Sequence, residues 1–363
     1  MSGKPPVESS RWRAAASTPA VEHGAPGPHF ATTAQQPETG FRVAVIIVNY
    51  NSGRMLRRCL EATAAQQVAA EEIIIVDNAS DDGSLDAVST MPMPVSLLRL
   101  PQNVGFAAAC NRALAELEDV DWVALLNPDA FPEPGWLAAL ARAAGSHPEC
   151  GSFACPTVRD ADPTIADGLG DNYHVSGMAW REGSGRPLVS LGISAREMFA
   201  PSGAAACYRR RAVLECGGFD EDYFCYFEDV DLGFRLRLAG YACRLIPDAL
   251  VRHVGSATTG RRSDFTVYHA QRNLEWTWWK NMPGWLLLWY LPQHLLLAGV
   301  TWGWYALQGR PLLVLRSKWA AYRGLAGILR KRRVVQRQRR ISLGALRRQM
   351  TRGWWRPYTR CRT

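Results

Sequence analysis

The stretch Trp122-Val123-Ala124-Leu125-Leu126-Asn127-Pro128-Asp129 decides how this chain is read. Five apolar residues stopped by a turn predict a short strand buried on both faces. The strand ends in an amide and a carboxylate, oxygen donors of the kind a hard divalent cation takes. About a hundred residues on, Glu228-Asp229-Val230-Asp231 forms a second acidic cluster, and His253 follows it. A cation held at Asp129 could also hold a diphosphate, and a carboxylate of the second cluster could act as a base beside it.

Working outward, the same pattern repeats. Val43 to Val48 is β-branched and continuous, so it predicts another buried strand, ended by Asn49-Tyr50-Asn51-Ser52-Gly53. Met55 to Gln67 predicts a helix with Leu56, Cys59, Leu60 and Thr63 on one side. Glu72–Val76 and Val95–Leu100 predict two more strands, Phe106–Leu117 a helix, and Pro134 the first turn of another. Strand and helix in alternation predict an α/β fold with a mostly parallel, Rossmann-like sheet flanked by helices. Ligands of such sheets sit beyond the carboxyl ends of the strands. Tyr50, Asp77, Asn103, Asn127 and Asp129 all fall there. Gly151 to Ala200 is weakly patterned and predicts long loops or a small hairpin layer. A helix is expected from Glu228–Asp229 to Leu238, closed by Gly240.

The net charge of +9 hides an asymmetry. Beyond Glu275 there are eighteen Lys and Arg and no acid, whereas residues 1–275 hold twenty-four basic against thirty-three acidic residues. That divides the chain into a Pro/Ala/Ser-rich segment 1–40 expected to be disordered, a domain over 41–275, and a Trp/Leu-rich, basic extension over 276–363. Residues 284–307 carry no charge, yet Pro292, Gln293 and His294 interrupt them. They predict two amphipathic or re-entrant pieces lying in one leaflet rather than a single span, with Arg330-Lys331-Arg332-Arg333 facing anionic lipid. Nine cysteines without CxxC spacing suit buried thiols in a reducing compartment. The expected location is the cytoplasmic face of the inner membrane, peripheral or monotopic.

Six motifs in order carry a family resemblance. They are Val45-Ile46-Ile47-Val48-Asn49-Tyr50-Asn51, Val76-Asp77-Asn78-Ala79-Ser80-Asp81-Asp82-Gly83-Ser84, Asn103-Val104-Gly105-Phe106-Ala107, Leu125-Leu126-Asn127-Pro128-Asp129, Gly217-Gly218-Phe219-Asp220-Glu221 and Tyr226-Phe227-Glu228-Asp229-Val230-Asp231-Leu232. Over residues 43–255 the chain resembles a family 2 glycosyltransferase of the GT-A fold, in the bacterial rhamnosyltransferase-like branch. The resemblance implies inverting transfer of a sugar, dTDP-L-rhamnose being the expected donor and another UDP- or GDP-hexose the alternative, with Mn²⁺ or Mg²⁺. It also implies a polyprenyl-diphosphate-linked glycan as acceptor, in cell-wall or surface polysaccharide synthesis. Many relatives have Asp-x-Asp where this chain has Asn127-Pro128-Asp129, so Asp129 and the donor diphosphate must hold the ion with less help.

Each role has a plainer alternative. Asp129 is the expected metal ligand, or else a turn residue before Pro132. Asp229 is the expected base by resemblance, with Glu228 second; both would also suit a helix N-terminus. Asp231 is expected to pair with Arg235. His253 is the second expected metal ligand, or a packed core histidine. Asp77 is expected to meet the donor's base, Tyr50 to stack or pack on it, and Asn49 and Asn103 to meet ribose or phosphate; turn chemistry would explain all four. Arg209-Arg210-Arg211 and Arg261-Arg262 could meet a diphosphate or be surface charge. Other function classes are a nucleotidyltransferase, which lacks its Gly-rich basic loop here, a non-catalytic scaffold, and nucleic-acid binding by the tail, which the adjoining uncharged Trp/Leu stretch disfavours.

Overall fold

The computed structural model describes residues 41–91, 93–255 and 263–359. Residues 1–40, expected to be disordered, and Arg261-Arg262 lie outside the described residues. The first half alternates as the sequence predicts: β1 (Val43–Asn49), α1 (Met55–Ala64), β2 (Glu72–Asp77), β3 (Ser96–Arg99), α2 (Phe106–Glu116) and β4 (Trp122–Leu126). Then come β5 (Ala130–Pro132), α3 (Trp136–Ser146), β6 (Cys150–Ala154), β7 (Thr157–Arg159), β8 (Asp162–Gly168), β9 (Asp171–Tyr173), β10 (Ala179–Arg181) and β11 (Arg196–Glu197). The remainder is β12 (Ala205–Arg209), α4 (Arg210–Glu215), α5 (Glu228–Leu238), β13 (Ala242–Leu245), β14 (Val251–His253), α6 (Asp264–Asn281), α7 (Gly284–Leu307), α8 (Pro311–Arg323), α9 (Leu325–Arg337), α10 (Leu343–Gln349) and α11 (Arg356–Thr359).

Eight strands form the central sheet, in the order β11-β13-β6-β12-β4-β1-β2-β3. The run β4-β1-β2-β3 is parallel throughout, while β12 is antiparallel to both β4 and β6. Every residue of β1 is buried because helices cover both faces. Val43, Val45 and Ile47 join a core with α1 and α3; Ala44, Ile46 and Val48 join one with α2 and α5. Each such Val or Ile contributes about 1.5–3 kcal/mol by burial. A one-residue slip would exchange the two cores, so the register is firmly specified.

The parallel register places the ends of β1, β2 and β4 on one edge, and the loops that follow them meet there. A second sheet, β5-β14-β7-β8, is attached to that edge. In it β14 runs antiparallel to β5, with His253 opposite Ala130. That pairing brings His253 beside Asp129, which directly precedes β5. The weakly patterned 151–200 region therefore supplies strands of three sheets, including β6 in the centre, besides the expected hairpin β9–β10.

The C-terminal part departs from expectation at one point. Residues 284–307 form one continuous helix, not two pieces. A proline inside a helix costs about 3 kcal/mol. Here the buried stripe Leu286, Leu287, Tyr290, His294 and Leu297 runs straight past Pro292, so packing offsets that cost. His294 is the anchor. Its Nδ1 lies 2.8 Å from the Ser176 carbonyl, its Nε2 2.9 Å from Glu275 of α6, and its ring is stacked on Trp278. Lys318 of α8 donates to the same Glu275 at 2.6 Å. The charge reversal at residue 275 thus falls inside α6, where the last acid of the chain is buried among its partners. No helix among the described residues is long and apolar enough to cross a membrane.

Candidate active site

A cavity of about 330 Å³ opens at the carboxyl edge of the sheet. It is lined by Tyr50, Asn103, Asn127, Asp129, Glu228, Asp229 and His253 among others. Segments far apart in the chain meet because β1, β4 and β12 are neighbours in the sheet. Tyr50 follows β1, Asn127 and Asp129 follow β4, and Gly203, just before β12, donates its N–H to Asp229 Oδ2 at 2.7 Å.

Asp129 and His253 form the first centre. His253 Nε2 lies 3.3 Å from Asp129 Oδ1, but it is buried and makes no aligned hydrogen bond. Its other nitrogen, Nδ1, lies 2.8 Å from Asp167 Oδ2. Burial would push the Asp129 carboxyl up, but contact with His253 outweighs it and holds the group below its ordinary range. Burial would lower His253, and its two carboxylate neighbours more than reverse that. Two donor atoms facing one point without bonding each other suit a shared cation. Among the described residues no three His, Cys, Asp or Glu side chains form a ready-made metal centre. The remaining ligands of such an ion would come from diphosphate oxygens and water.

Glu228 and Asp229 form the second centre, at the start of α5. They differ in setting. Asp229 accepts from the N–H groups of Gly203 and Val230 at 2.7 and 2.8 Å. Glu228 is buried, and its Oε2 has no partner. Burial first, and the charge of Asp229 second, push the Glu228 carboxyl well above the ordinary range. Burial thus biases Glu228 toward its protonated form, and Asp229, held by two backbone N–H groups, is the acid of the pair placed to accept a proton. Asp171 is neutralised for the same reasons, burial and then Asp229, which push it up to about 8. Asp231 points away from the cavity. It pairs with Arg235 at 2.8 Å, as expected, and with Lys280 at 2.8 Å.

The backbone leading into this centre is strained. Phe224, Tyr226 and Phe227 have φ of 65°, 66° and 69°, a region bulky residues avoid. Asn273 of α6 holds the turn, its Nδ2 lying within 3.0 Å of the Tyr223, Cys225 and Tyr226 carbonyls. Gly105 makes room on the other side: a Cβ there would stand 2.5 Å from the Phe224 carbonyl oxygen. This is the structural work of the Asn103-Val104-Gly105 motif. Asn103 Oδ1 also accepts from Gly105 N and Asn78 Nδ2, both at 2.9 Å.

Several of the expected ligands are engaged by other parts of the protein. Asn49 is fully buried and donates to Asp77, Ser80 and Ser84 at 2.9–3.0 Å, tying the β1 and β2 loops together. Asp77 accepts from Asn49 and from Ser80 N, and neither Asn49 nor Asp77 lines the cavity. Tyr50 does, and is half-exposed there. Arg209 and Arg210 bond to backbone carbonyls and Arg211 to Glu215, and none of the three lines the cavity. Sequence reasoning missed Asp167, Asp171 and Arg181, which lie in the segment without periodicity; no local signal marks them.

Residues 40–276 match the family described as Glycosyltransferase like family 2. The chain is 31% identical to N-acetylglucosaminyl-diphospho-decaprenol L-rhamnosyltransferase of Mycobacterium tuberculosis, over 67% of this chain and 88% of that one. It is 27% identical to the O-antigen chain rhamnosyltransferase WbaN of Salmonella anatum, over 62% and 71%. Its fold is similar to that of GalNAc-T7, solved with UDP, GalNAc and Mn²⁺, at a TM-score of 0.53 and 15% identity, covering 66% of this chain and 48% of that one. That likeness shows the GT-A-like fold. With a family match over most of its length, this chain belongs to glycosyltransferase family 2 and is a glycosyltransferase.

Proposed function

We propose that this protein transfers L-rhamnose from dTDP-L-rhamnose, with inversion, onto a glycan carried on a polyprenyl diphosphate. The observation that carries this reading is the meeting of Asp129, His253, Glu228 and Asp229 around one cavity. The activity for which the mycobacterial relative is named supports the choice of sugar and of lipid-linked acceptor. Asp129 and His253 would hold Mn²⁺ or Mg²⁺, which supplies positive charge for the departing nucleotide diphosphate. Asp229 accepts the proton of the acceptor hydroxyl. The freed oxygen attacks the anomeric carbon, and the bond from that carbon to the diphosphate breaks, its electron pair leaving with the nucleotide. Gly203 N–H and Val230 N–H fix the Asp229 carboxylate for that proton. Glu228, biased toward its protonated form by burial, limits the negative charge beside Asp229 and, when protonated, can donate a hydrogen bond to the acceptor.

The C-terminal helices would bring the enzyme to its lipid. Outside its buried stripe, α7 presents Trp285, Trp289 and Trp304 to solvent, and α8 adds Leu312 and Trp319. An exposed apolar face beside basic helices suits an anionic bilayer at the cytoplasmic face of the inner membrane. The test is transfer by the purified protein with dTDP-rhamnose, UDP-glucose, UDP-galactose and UDP-N-acetylglucosamine. Each donor is offered with a synthetic N-acetylglucosaminyl-diphospho-lipid, with Mn²⁺, Mg²⁺ or EDTA. Metal-dependent product from dTDP-rhamnose alone is expected. Equal use of the UDP-sugars would overturn the donor assignment, and full activity in EDTA the metal.

A further inference from the structure

We infer that Asp167 is a positioning residue for the cation and diphosphate site, presenting His253 Nε2 to the cavity and aiming Arg181 into it. The inference rests on the proposed reading of His253 as a cation ligand and adds a residue to it. Asp167 lies outside every motif of the chain and is 1% exposed.

The backbone is built to aim it. In the pairing of β7 with β8, Thr157 stands opposite Gly168 and Val158 opposite Ala166. Asp167 is thus the extra residue of a bulge, the irregularity by which strands redirect a side chain near active sites. So redirected, one carboxylate oxygen takes two charge-assisted contacts, from His253 Nδ1 at 2.8 Å and from Arg181 Nη1 at 2.7 Å. Gly168 is part of the same device: an added Cβ there would meet the stem of Arg181 at 3.1 Å. Both partners of Asp167 line the cavity, and Asp167 does not.

The chemistry follows from what each atom can do. A carboxylate accepts and does not donate, so Nδ1 of His253 must carry the proton. With the Nδ1 proton so held, the proton given up when a cation binds is the one on Nε2, the buried nitrogen that faces Asp129 and has no aligned hydrogen bond. Partners of this kind behind a ligating histidine fix its tautomer and ring orientation. Arg181, held by the same oxygen, is a fixed positive charge in a cavity whose Asp129, Glu228 and Asp229 are acidic. It is suited to an anionic phosphoryl oxygen.

The test compares Asp167→Asn with His253→Ala in the full chain. Mn²⁺ is titrated in the presence of dTDP and free Mn²⁺ is followed by electron paramagnetic resonance. Asp167→Asn is expected to weaken Mn²⁺ by ~10–100-fold. Wild-type affinity in Asp167→Asn, with weakened affinity in His253→Ala, would overturn this inference and leave His253 as a ligand. Wild-type affinity in both variants would instead sink the reading of His253 on which the inference rests. A second measurement needs no variant: nitrogen-15 shifts of the metal-free wild-type protein should show His253 protonated at Nδ1. A ring protonated at Nε2 alone would overturn the inference even if Asp167→Asn failed to fold.

Discussion

Replacing Asn273 by Leu should damage both stability and turnover, in amounts the geometry allows one to bound. The Asn273 side chain is fully buried in α6, with its amide nitrogen near three carbonyls of the 223–227 turn. An amide has two N–H groups, so the three contacts amount to two full hydrogen bonds with one shared. At ~0.5–1.5 kcal/mol net for each, their loss costs about 1–3 kcal/mol. Leucine has the same branched shape and adds no charge; the one further loss is the bond that Asn273 Oδ1 accepts from Arg272 Nε at 2.9 Å. The turn they hold contains three residues at positive φ, each strained by ~1–3 kcal/mol. The strain equals or exceeds what the amide provides. Without the amide the turn should relax, and Glu228 and Asp229, the next two residues, should move with it. Misplacing a reacting group by about 1 Å costs ~100-fold in rate. We expect a urea midpoint lower by an amount worth about 2 kcal/mol, kcat lower by about 100-fold under conditions where the protein is folded, and little change in KM for the donor. The donor-side residues Tyr50 and Asp129 lie on other elements. Wild-type kcat in folded Asn273→Leu would refute the reasoning, as would a donor KM that rises as far as kcat falls.

The two acids of the site should separate on mutation. Asp229→Asn should abolish turnover while donor binding measured by calorimetry persists, whereas Glu228→Gln, which puts a neutral amide where burial already disfavours a charge, should retain measurable kcat; the reverse order would exchange their roles. Asp171, raised to about 8 by burial and then by Asp229, gives a pH signature. Its unfolded carboxyl ionises near pH 4 and its folded one near 8, so the folded state holds the extra proton between those values and stability falls as pH rises through that window. Asp171→Asn should therefore leave the melting temperature nearly unchanged at pH 4 and raise it increasingly towards pH 8; a constant difference across the range would exclude the effect. Trp285→Ser with Trp289→Ser should reduce flotation with vesicles containing anionic lipid while leaving thermal stability within about 1 kcal/mol, because both side chains are exposed; unchanged flotation would remove α7 from the membrane interface.

Much of the fold was legible because buried parallel strands carry their signal locally. Val43–Val48 and Trp122–Leu126 could be neither surface strands nor amphipathic helices, and β4 begins and ends where its apolar run does. The start of α5 was legible from its acids and its end from Gly240. The 284–307 stretch misled because Pro292 is a local signal and the compensation for it is distant. Glu275, Ser176 and Trp278 hold His294 in one helix with its neighbours, and nothing near residue 292 announces them. The 151–200 region was opaque for a related reason: β7 and β9 are short, and β8 is bulged.

The site divides along the same line. Asn49, Asp77, Asn127 and Asp129 stand at strand ends, and residue type alone could not tell ligand from turn. Asn49 has one amide and three buried acceptors within 3.0 Å, two of them beyond Asp77 in the next loop. Those contacts use its donors, so it braces the loop that presents Tyr50. Asp129 differs: it lines the cavity, and the buried Nε2 of His253 faces it at 3.3 Å without an aligned hydrogen bond. What distinguishes a ligand from a brace is therefore whether its polar atoms are already satisfied, which depends on elements up to a hundred residues away. Asp129 and Asp229 stood out because the motifs name them. Asp167 could not stand out, because an acid behind a histidine acquires its meaning from a bulge that shifts it by one residue in the strand.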